Sequence, residues 1–267
     1  MDDVEGLRRR VTDGALWLRI DRPEAGNAFT TAVQRGLVEA LDAANRSSEI
    51  RVVVLTAAGE RHFCTGPDLR DREMAPDPAR AVGDASRRLR EGSQRVVTAL
   101  LDCEKPVLCG LNGTAAGGGA NLVLASDLVV AAEHATIVAL FTRRGLIPDG
   151  GAAYLLARHL PRNVVKELIL FGGSLSAAEA HRLGLVNRVV PGPDLDATLD
   201  EWAHRLAVGP TRAFAASKAL LNRAVDDDRA AALALEAALV EQVAGSDDVA
   251  EGVAAFLERR DPHFRGR

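Results

Sequence analysis

The sequence predicts an α/β fold in which strands alternate with helices, followed by a region made of helices alone. Two observations predict this class. Short apolar runs such as residues 51–56 are β-branched and apolar on both faces, which is typical of strands covered by helices on both sides. Segments with apolar residues at helical spacing separate these runs, and strand–helix alternation favours parallel pairing through crossover helices. From Gly150 onward helical patterns predominate.

The elements follow in a clear order. The predicted strands are residues 15–20, 51–56, 106–111, 127–132, 135–140 and 186–190. The predicted helices are one capped by Thr30 or Thr31, then 87–101, 122–126, 152–159, 164–171, 177–183, 195–208, 212–225, 230–244 and 249–259. Residues 57–68 are expected to form a loop, and the charged stretch from 70 to 85 has no clear period. The expected division is a core, residues 1–195, and a helical C-terminal region, residues 196–267. That region serves assembly, because its Leu and Val face cannot be buried by one copy alone.

Composition narrows the function classes. A net charge of −4 and 4% aromatic residues argue against nucleic acid as a partner. No apolar run reaches the roughly 18 residues that a membrane span needs, and the acidic start has no signal-peptide core. Three cysteines without CxxC spacing and six scattered histidines predict reduced thiols and no metal site. We therefore expect a soluble cytoplasmic protein.

The most informative segment is the glycine-rich stretch 113–121. It follows a buried strand and runs into a buried helix, so its backbone N–H groups are left without partners at the positive end of the helix. Such donors suit a phosphate or an oxyanion. A P-loop needs Gly-Lys-Ser/Thr where Asn121 and Leu122 stand, and a dinucleotide fingerprint needs spaced glycines, whereas Gly117 to Gly119 are consecutive. The order favours an oxyanion hole, with a simple packing turn as the alternative.

Six segments in order resemble the crotonase family, the enoyl-CoA hydratase/isomerase superfamily of acyl-CoA enzymes. They are residues 22–28, 62–69, 113–121, 145–151, 175–180 together with 184–186, and 256–264. The resemblance implies a crotonase (ClpP-like) spiral of ββα repeats with a C-terminal helical trimerisation region. It also implies an acyl-CoA thioester substrate, no cofactor apart from the coenzyme A of that substrate, and a homotrimer or dimer of trimers.

The resemblance further implies two backbone donors in the oxyanion hole, the N–H groups of Thr65 and Gly118. A thioester carbonyl becomes an enolate when the neighbouring carbon loses a proton, and two fixed donors stabilise the new charge. The wall of the substrate pocket is expected to include Ala25, Ala28, Cys64, Gly66, Pro67, Asp68, Leu69, Gly117, Asn121, Phe141 and Ile147. Asp68 is expected to brace its loop through nearby amides, with a solvated surface acid as the alternative. Residues 70–85 are expected to flank the acyl pocket.

The residues at the catalytic positions point to isomerisation. Hydratases of this family carry two glutamates where this chain has Asn121 and Phe141, and neither can accept a proton at neutral pH. Asp149 matches the acid/base aspartate of dienoyl-CoA and 1,2-epoxyphenylacetyl-CoA isomerases. It is therefore the predicted catalytic residue, with capping of the following helix as the other interpretation. A hydratase using Asp149 and a water held by Asn121, and a non-catalytic acyl-CoA-binding protein, remain as alternatives.

Overall fold

The computed structural model describes residues 3–71 and 81–267, so part of the predicted 70–85 stretch lies outside the described residues. Strands are numbered in chain order: β1 Leu7–Thr12, β2 Ala15–Ile20, β3 Val52–Ala57, β4 His62–Cys64, β5 Val107–Leu111, β6 Thr114–Ala116, β7 Leu128–Ala132, β8 Thr136–Val138, β9 Ser174–Ser176 and β10 Arg188–Val190. The α-helices are α1 Thr31–Arg46, α2 Asp84–Glu91, α3 Ser93–Leu101, α4 Gly118–Leu124, α5 Ala152–His159, α6 Arg162–Leu170, α7 Ala177–Arg182, α8 Leu195–Ala207, α9 Thr211–Arg223, α10 Arg229–Ala244 and α11 Asp247–Glu258.

The strands of the described residues form two sheets. A six-stranded sheet has the order β1-β2-β3-β5-β7-β10, and a four-stranded sheet has the order β4-β6-β8-β9. In both, the inner strands pair in parallel; only β1 with β2 and β8 with β9 are antiparallel. The chain runs from the first sheet to the second and then into helices three times: β3–β4–α2–α3, β5–β6–α4 and β7–β8–α5–α6. These are the ββα turns that the resemblance to the crotonase family implies.

Burial follows the residue pattern. Residues 52–55 of β3 and all of β5 are buried, and α8 packs against both strands. Helix α1 turns Val33, Leu37 and Leu41 into the core at helical spacing. It begins at Thr30, whose side chain accepts from the N–H of Val33 at 3.3 Å. Of the two predicted caps, the structure uses Thr30.

The structure differs from the predicted elements at several places; besides those described next, strands β6 and β9 were not predicted. Strand β1 was missed because three arginines interrupt its apolar pattern, although the Asp13-Gly14 turn, with both residues at positive φ, is a typical hairpin signal. The single helix predicted at 87–101 is divided at Gly92 into α2 and α3; a Cβ there would lie 2.8 Å from the carbonyl oxygen of Arg88. The predicted loop at 57–68 contains β4.

The predicted boundary between residues 195 and 196 does not separate two structural units, since α8 packs on the six-stranded sheet. Leu199 is fully buried, and a Cβ on Gly110 would lie 2.4 Å from it. Helix α9 is joined to the core by Lys218, whose ammonium lies 2.8 Å from the carboxylate of Asp127. Helix α10 has no buried residue. None of the helices in residues 3–71 and 81–267 combines the length and apolar character needed to cross a membrane.

Candidate active site

Three loops meet at one edge of the four-stranded sheet. Strands β4, β6 and β8 are parallel, so their carboxyl ends lie at the same edge. The loop after β4 carries residues 65–69, the turn after β6 carries 117–121, and the segment after β8 carries 141–149. Ligand sites of α/β proteins commonly form outside the carboxyl ends of parallel strands. The topology therefore gathers most of the predicted site residues into one place.

The glycine turn places a free amide at the start of α4. Helix α4 begins at Gly118, so this N–H has no acceptor within the helix, and no carbonyl elsewhere in the described residues accepts it. Gly117 has φ 53° and offers no side chain as a cap. Gly119 is a packing residue, because a Cβ there would lie 2.0 Å from the carbonyl oxygen of Cys64. Gly119 thus serves packing, whereas the free N–H of Gly118 is a donor of the kind that the oxyanion interpretation requires.

The amide of Thr65 is not available as the second donor. Its N–H donates to the carbonyl of Gly26 at 3.2 Å. A Cβ on Gly26 would lie 3.1 Å from the Thr65 side chain, so the two segments are tightly packed. The N–H of Thr65, which was predicted to be an oxyanion donor, is therefore already paired within the protein in this structure. Sequence reasoning could not find this, because Gly26 lies 39 positions earlier and reaches Thr65 only through the fold.

The rest of this loop packs directly against α4. Gly66 has φ 92°, and a Cβ there would lie 3.3 Å from the nitrogen of Gly118. Pro67 is exposed, and its Cδ lies 3.2 Å from the position that a Cβ on Gly118 would take. The thiol of Cys64 is fully buried; burial raises its pKa to about 12, so it is not a nucleophile. Leu69 is exposed.

Asn121 holds a backbone segment. Its Nδ2 donates to the carbonyl oxygens of Asp149 at 2.9 Å and Gly150 at 3.2 Å. The residue is 1% exposed, and its Oδ1 is buried without a hydrogen-bond partner in the structure. Two carbonyl acceptors require the NH₂ end of the amide, so this group is not free to orient a water for hydration. The tether fixes the chain that carries Asp149 beside the first turn of α4.

Asp149 carries a carboxyl without an ion-pair partner among the described residues. The residue is exposed as a whole, yet partial burial of the carboxyl raises its pKa above the 3.8 of an ordinary aspartate, while its own backbone N–H opposes that shift. The capping interpretation is wrong, because Gly151 is the N-cap of α5 and no side chain accepts a hydrogen bond from the first turn of this helix. Asp149 instead accepts the N–H of Ala152 with its carbonyl at 3.0 Å.

Two apolar residues of the segment after β8, Phe141 and Ile147, differ in their surroundings. Phe141 is 5% exposed, and its ring lies 3.9 Å from the position of a Cβ on Gly117. The side chain of Ile147 is not buried; the residue is 76% exposed in the single chain. The ring of Phe141 thus makes the region beside the glycine turn apolar, whereas the side chain of Ile147 is exposed.

Asp68 braces its loop through two arginines. Its carboxylate accepts from Arg22 Nη2 at 2.9 Å and from Arg70 Nε at 3.0 Å, and it also accepts the backbone N–H of Arg70 at 3.1 Å. Hydrogen bonds from Arg70, and then from Arg22, lower the pKa of Asp68 to about 2, although its burial opposes this shift. The bracing prediction is right in kind, but the sequence did not reveal the two arginine partners.

An open cleft of about 550 Å³ lies on the outer side of this loop. Ala25, Asp68 and Arg70 line it together with residues of both charges. Ala28 is buried beneath it, and its carbonyl accepts from Arg22. The described residues contain no cluster of His, Cys, Asp and Glu that could hold a metal ion.

With this geometry established, similarity to known proteins decides the family. The sequence pattern described as enoyl-CoA hydratase/isomerase matches residues 10–267. The chain belongs to this family. It is 40% identical to a Rhodobacter capsulatus protein named "Probable enoyl-CoA hydratase", over 98% of each chain. It is also 37% identical to the 1,2-epoxyphenylacetyl-CoA isomerase of Escherichia coli, over 99% of this chain and 100% of that one.

Solved structures of the family share the fold. The enoyl-CoA hydratase/isomerase from Cupriavidus metallidurans superimposes with a TM-score of 0.92 at 30% identity, over 100% of this chain and 98% of that one. The crotonase fold of this member is thus shown by its sequence and by its backbone. An acyl-CoA thioester is the substrate consistent with the family.

Proposed function

We propose that this enoyl-CoA hydratase/isomerase family member is an isomerase that moves a proton along the acyl chain of an enoyl-CoA, with Asp149 as the acid and base. The observation that carries the proposal is the tether from Asn121 to the carbonyls of Asp149 and Gly150. This tether holds the backbone of Asp149 next to α4, the helix whose first amide, at Gly118, is free. The carboxyl of Asp149 has no ion-pair partner among the described residues, and its pKa is raised by burial. The likeness to an isomerase over the whole chain supports it.

In the proposed reaction, Asp149 takes a proton from one carbon of the acyl chain. The C–H electron pair moves into the conjugated system, and negative charge develops on the thioester oxygen. The N–H of Gly118 at the positive end of α4 stabilises that oxygen. Asp149 then returns the proton to another carbon on the same face, so the double bond migrates and no atom is gained or lost. A related ring rearrangement uses the same groups.

Hydration is the second candidate, favoured by the name of the Rhodobacter capsulatus relative. Against it stand the two positions where hydratases carry glutamate. Asn121 uses its NH₂ group for two carbonyls, and Phe141 makes the region beside Gly117 apolar. Neither can deprotonate a water. A non-catalytic acyl-CoA-binding protein would keep the pocket but would not depend on Asp149.

Assembly and location are part of the proposal. Large apolar side chains are exposed on the C-terminal helices, among them Leu221, Leu233, Val240, Val253, Phe256 and Leu257. Apolar surface on this scale is typical of subunit interfaces. We propose a homotrimer or a dimer of trimers in the cytoplasm, with coenzyme A entering only as part of the substrate. Light scattering coupled to size exclusion measures the mass that tests the assembly.

The test of the reaction is a panel of 2-enoyl-, 3-enoyl- and dienoyl-CoA esters incubated in heavy water and analysed by mass spectrometry. An isomerase shifts the double bond and incorporates deuterium without adding the mass of water. Net addition of D₂O to a 2-enoyl-CoA, with no double-bond shift in any ester, would instead establish hydration. Binding without either change identifies a non-catalytic protein.

A further inference from the structure

The backbone around Pro67 is fixed by a short parallel bridge. The N–H of Phe29 donates to the carbonyl of Gly66, and the N–H of Asp68 donates to the carbonyl of Phe29, both at 3.0 Å. In such a bridge, the groups on either side of the central residue face the partner strand. The nitrogen and carbonyl of the central residue, here Pro67, therefore face away from Phe29. Proline is tolerated because the bridge does not use the N–H at this position.

On the side that Pro67 faces lies the start of α4. The Cδ of Pro67 is 3.2 Å from the position that a Cβ on Gly118 would take, and a Cβ on Gly66 would lie 3.3 Å from the nitrogen of Gly118. In proline, Cδ occupies the direction that the amide hydrogen takes in every other residue. Any other residue at position 67 would thus direct an N–H toward Gly118, at the start of α4.

The neighbouring amides of the loop do not replace the N–H that Pro67 lacks. Thr65 donates to Gly26, and Asp68 donates to Phe29. The amide of Gly66 interacts with the sulfur of Cys64. Within residues 65–68, proline therefore stands at the position best placed to pair with Gly118 as a second donor.

We infer that Pro67 reduces the oxyanion site to a single backbone donor, the N–H of Gly118, and so restricts the enzyme to substrates whose charge is spread by conjugation. This deepens the proposed function and rests on it. One oxyanion donor typically contributes a factor of about 10² to 10³ to the rate. With that factor missing, the C–H bond to be broken must already be acidified by a neighbouring double bond or aryl ring. The substrate class is 3-enoyl-, dienoyl- or arylacetyl-type CoA esters rather than saturated acyl-CoA.

The direct test adds the missing N–H with Pro67→Ala and, as a second variant, Pro67→Gly. Pro193→Ala is the matched control, since Pro193 is exposed in the 3-10 turn Gly192–Asp194 and lies outside the three site loops. Infrared difference spectra of bound butyryl-CoA, labelled with ¹³C at the thioester carbonyl, report the hydrogen bonds to that oxygen without any turnover. We expect the carbonyl band to move to lower frequency in both Pro67 variants and to stay at the wild-type frequency in Pro193→Ala.

Kinetics supply the second measurement. Double-bond migration in a 3-enoyl-CoA is expected to rise about tenfold or more in Pro67→Ala, since one donor is added. Exchange of the C2 proton of butyryl-CoA should appear in the variant and be absent in the wild type. An unchanged carbonyl band in both Pro67 variants, or wild-type exchange as fast as in the variants, overturns the inference. If the band shifts but no variant isomerises any ester, the single-donor site stands and the proposed isomerase function fails.

Discussion

The two sides of the site, α4 and the loop after β4, differ in whether their backbone amides and aspartates are already paired within the protein. On one side, α4 offers the unpaired amide of Gly118, and Asn121 tethers Asp149 next to it. On the other side, the amides of Thr65, Gly66 and Asp68 are donated within the protein, and Pro67 has no N–H. The two sides are in contact, since Gly66 lies against Gly118. A residue that lies beside Gly118 is therefore not a hydrogen-bond donor to a ligand unless its own amide is unpaired.

The two aspartates show the same contrast. Burial raises the pKa of Asp149, and no arginine or lysine among the described residues pairs with it. Hydrogen bonds from Arg70 and Arg22 lower the pKa of Asp68 to about 2. A carboxyl of raised pKa exchanges protons near neutral pH more readily, whereas one that is clamped by two cations stays charged. We assign proton transfer to Asp149 and loop stability to Asp68.

The largest effect is expected from Asp149→Asn. The amide cannot accept the proton, so isomerisation of a 3-enoyl-CoA should fall by about 10² to 10⁴-fold. Acyl-CoA affinity and thermal stability should change little, because the Asp149 side chain makes no ion pair in the described structure. Kinetics and calorimetric binding on the same preparation check both points. Equal turnover by variant and wild type would remove Asp149 from the mechanism.

A smaller loss of activity is expected from Asn121→Ala, which removes the hydrogen bonds that hold the backbone of Asp149 and Gly150. We expect kcat to fall about tenfold, in the range that misplacement of a general base causes. Asn121→Asp should be worse, because a carboxylate would face the carbonyls of Asp149 and Gly150. Steady-state kinetics measure both.

The matched control is Asn112→Ala. Asn112 is also a buried asparagine whose Nδ2 donates to two carbonyls, those of Ala57 and Gly59. It lies at the end of β5 and is not in the glycine turn. This variant should lose stability but keep kcat. If the two alanine variants lose activity in proportion to their stability, Asn121 has no specific positioning role.

The smallest change in activity is expected from Asp68→Asn, whose main effect is on stability. Losing charge-assisted hydrogen bonds to Arg22 and Arg70 should lower the free energy of unfolding by about 1–3 kcal/mol, with kcat within a few-fold of wild type. The pKa of Asp68 is lowered to about 2, so its stabilising contribution is complete above 3.8 and disappears as the pH falls toward 2. Denaturation midpoints of both proteins should therefore converge in acid. A gap that stays undiminished as the pH falls from 4 through 2 contradicts the role.

Local patterns predicted the parts of the fold and site that depend on neighbours in sequence. The buried strands, the cap at Thr30 and the free amide of Gly118 follow from residues within a few positions of each other. The pairing of Thr65 with Gly26, and the arginines on Asp68, depend on segments that only the fold brings together. Pro67 is visible in the sequence, but its orientation toward Gly118 required the bridge to Phe29.

The pH dependence of isomerisation tests the central role of Asp149 most directly. The basic form of the carboxylate takes the proton, so kcat/KM for a 3-enoyl-CoA should rise as pH increases through the pKa of Asp149. Since burial raises this pKa, the acid limb should lie above 3.8. The limb should vanish from the residual rate of Asp149→Asn. The same limb in that variant, or a profile that is flat down to acid pH in the wild type, would contradict proton transfer by Asp149.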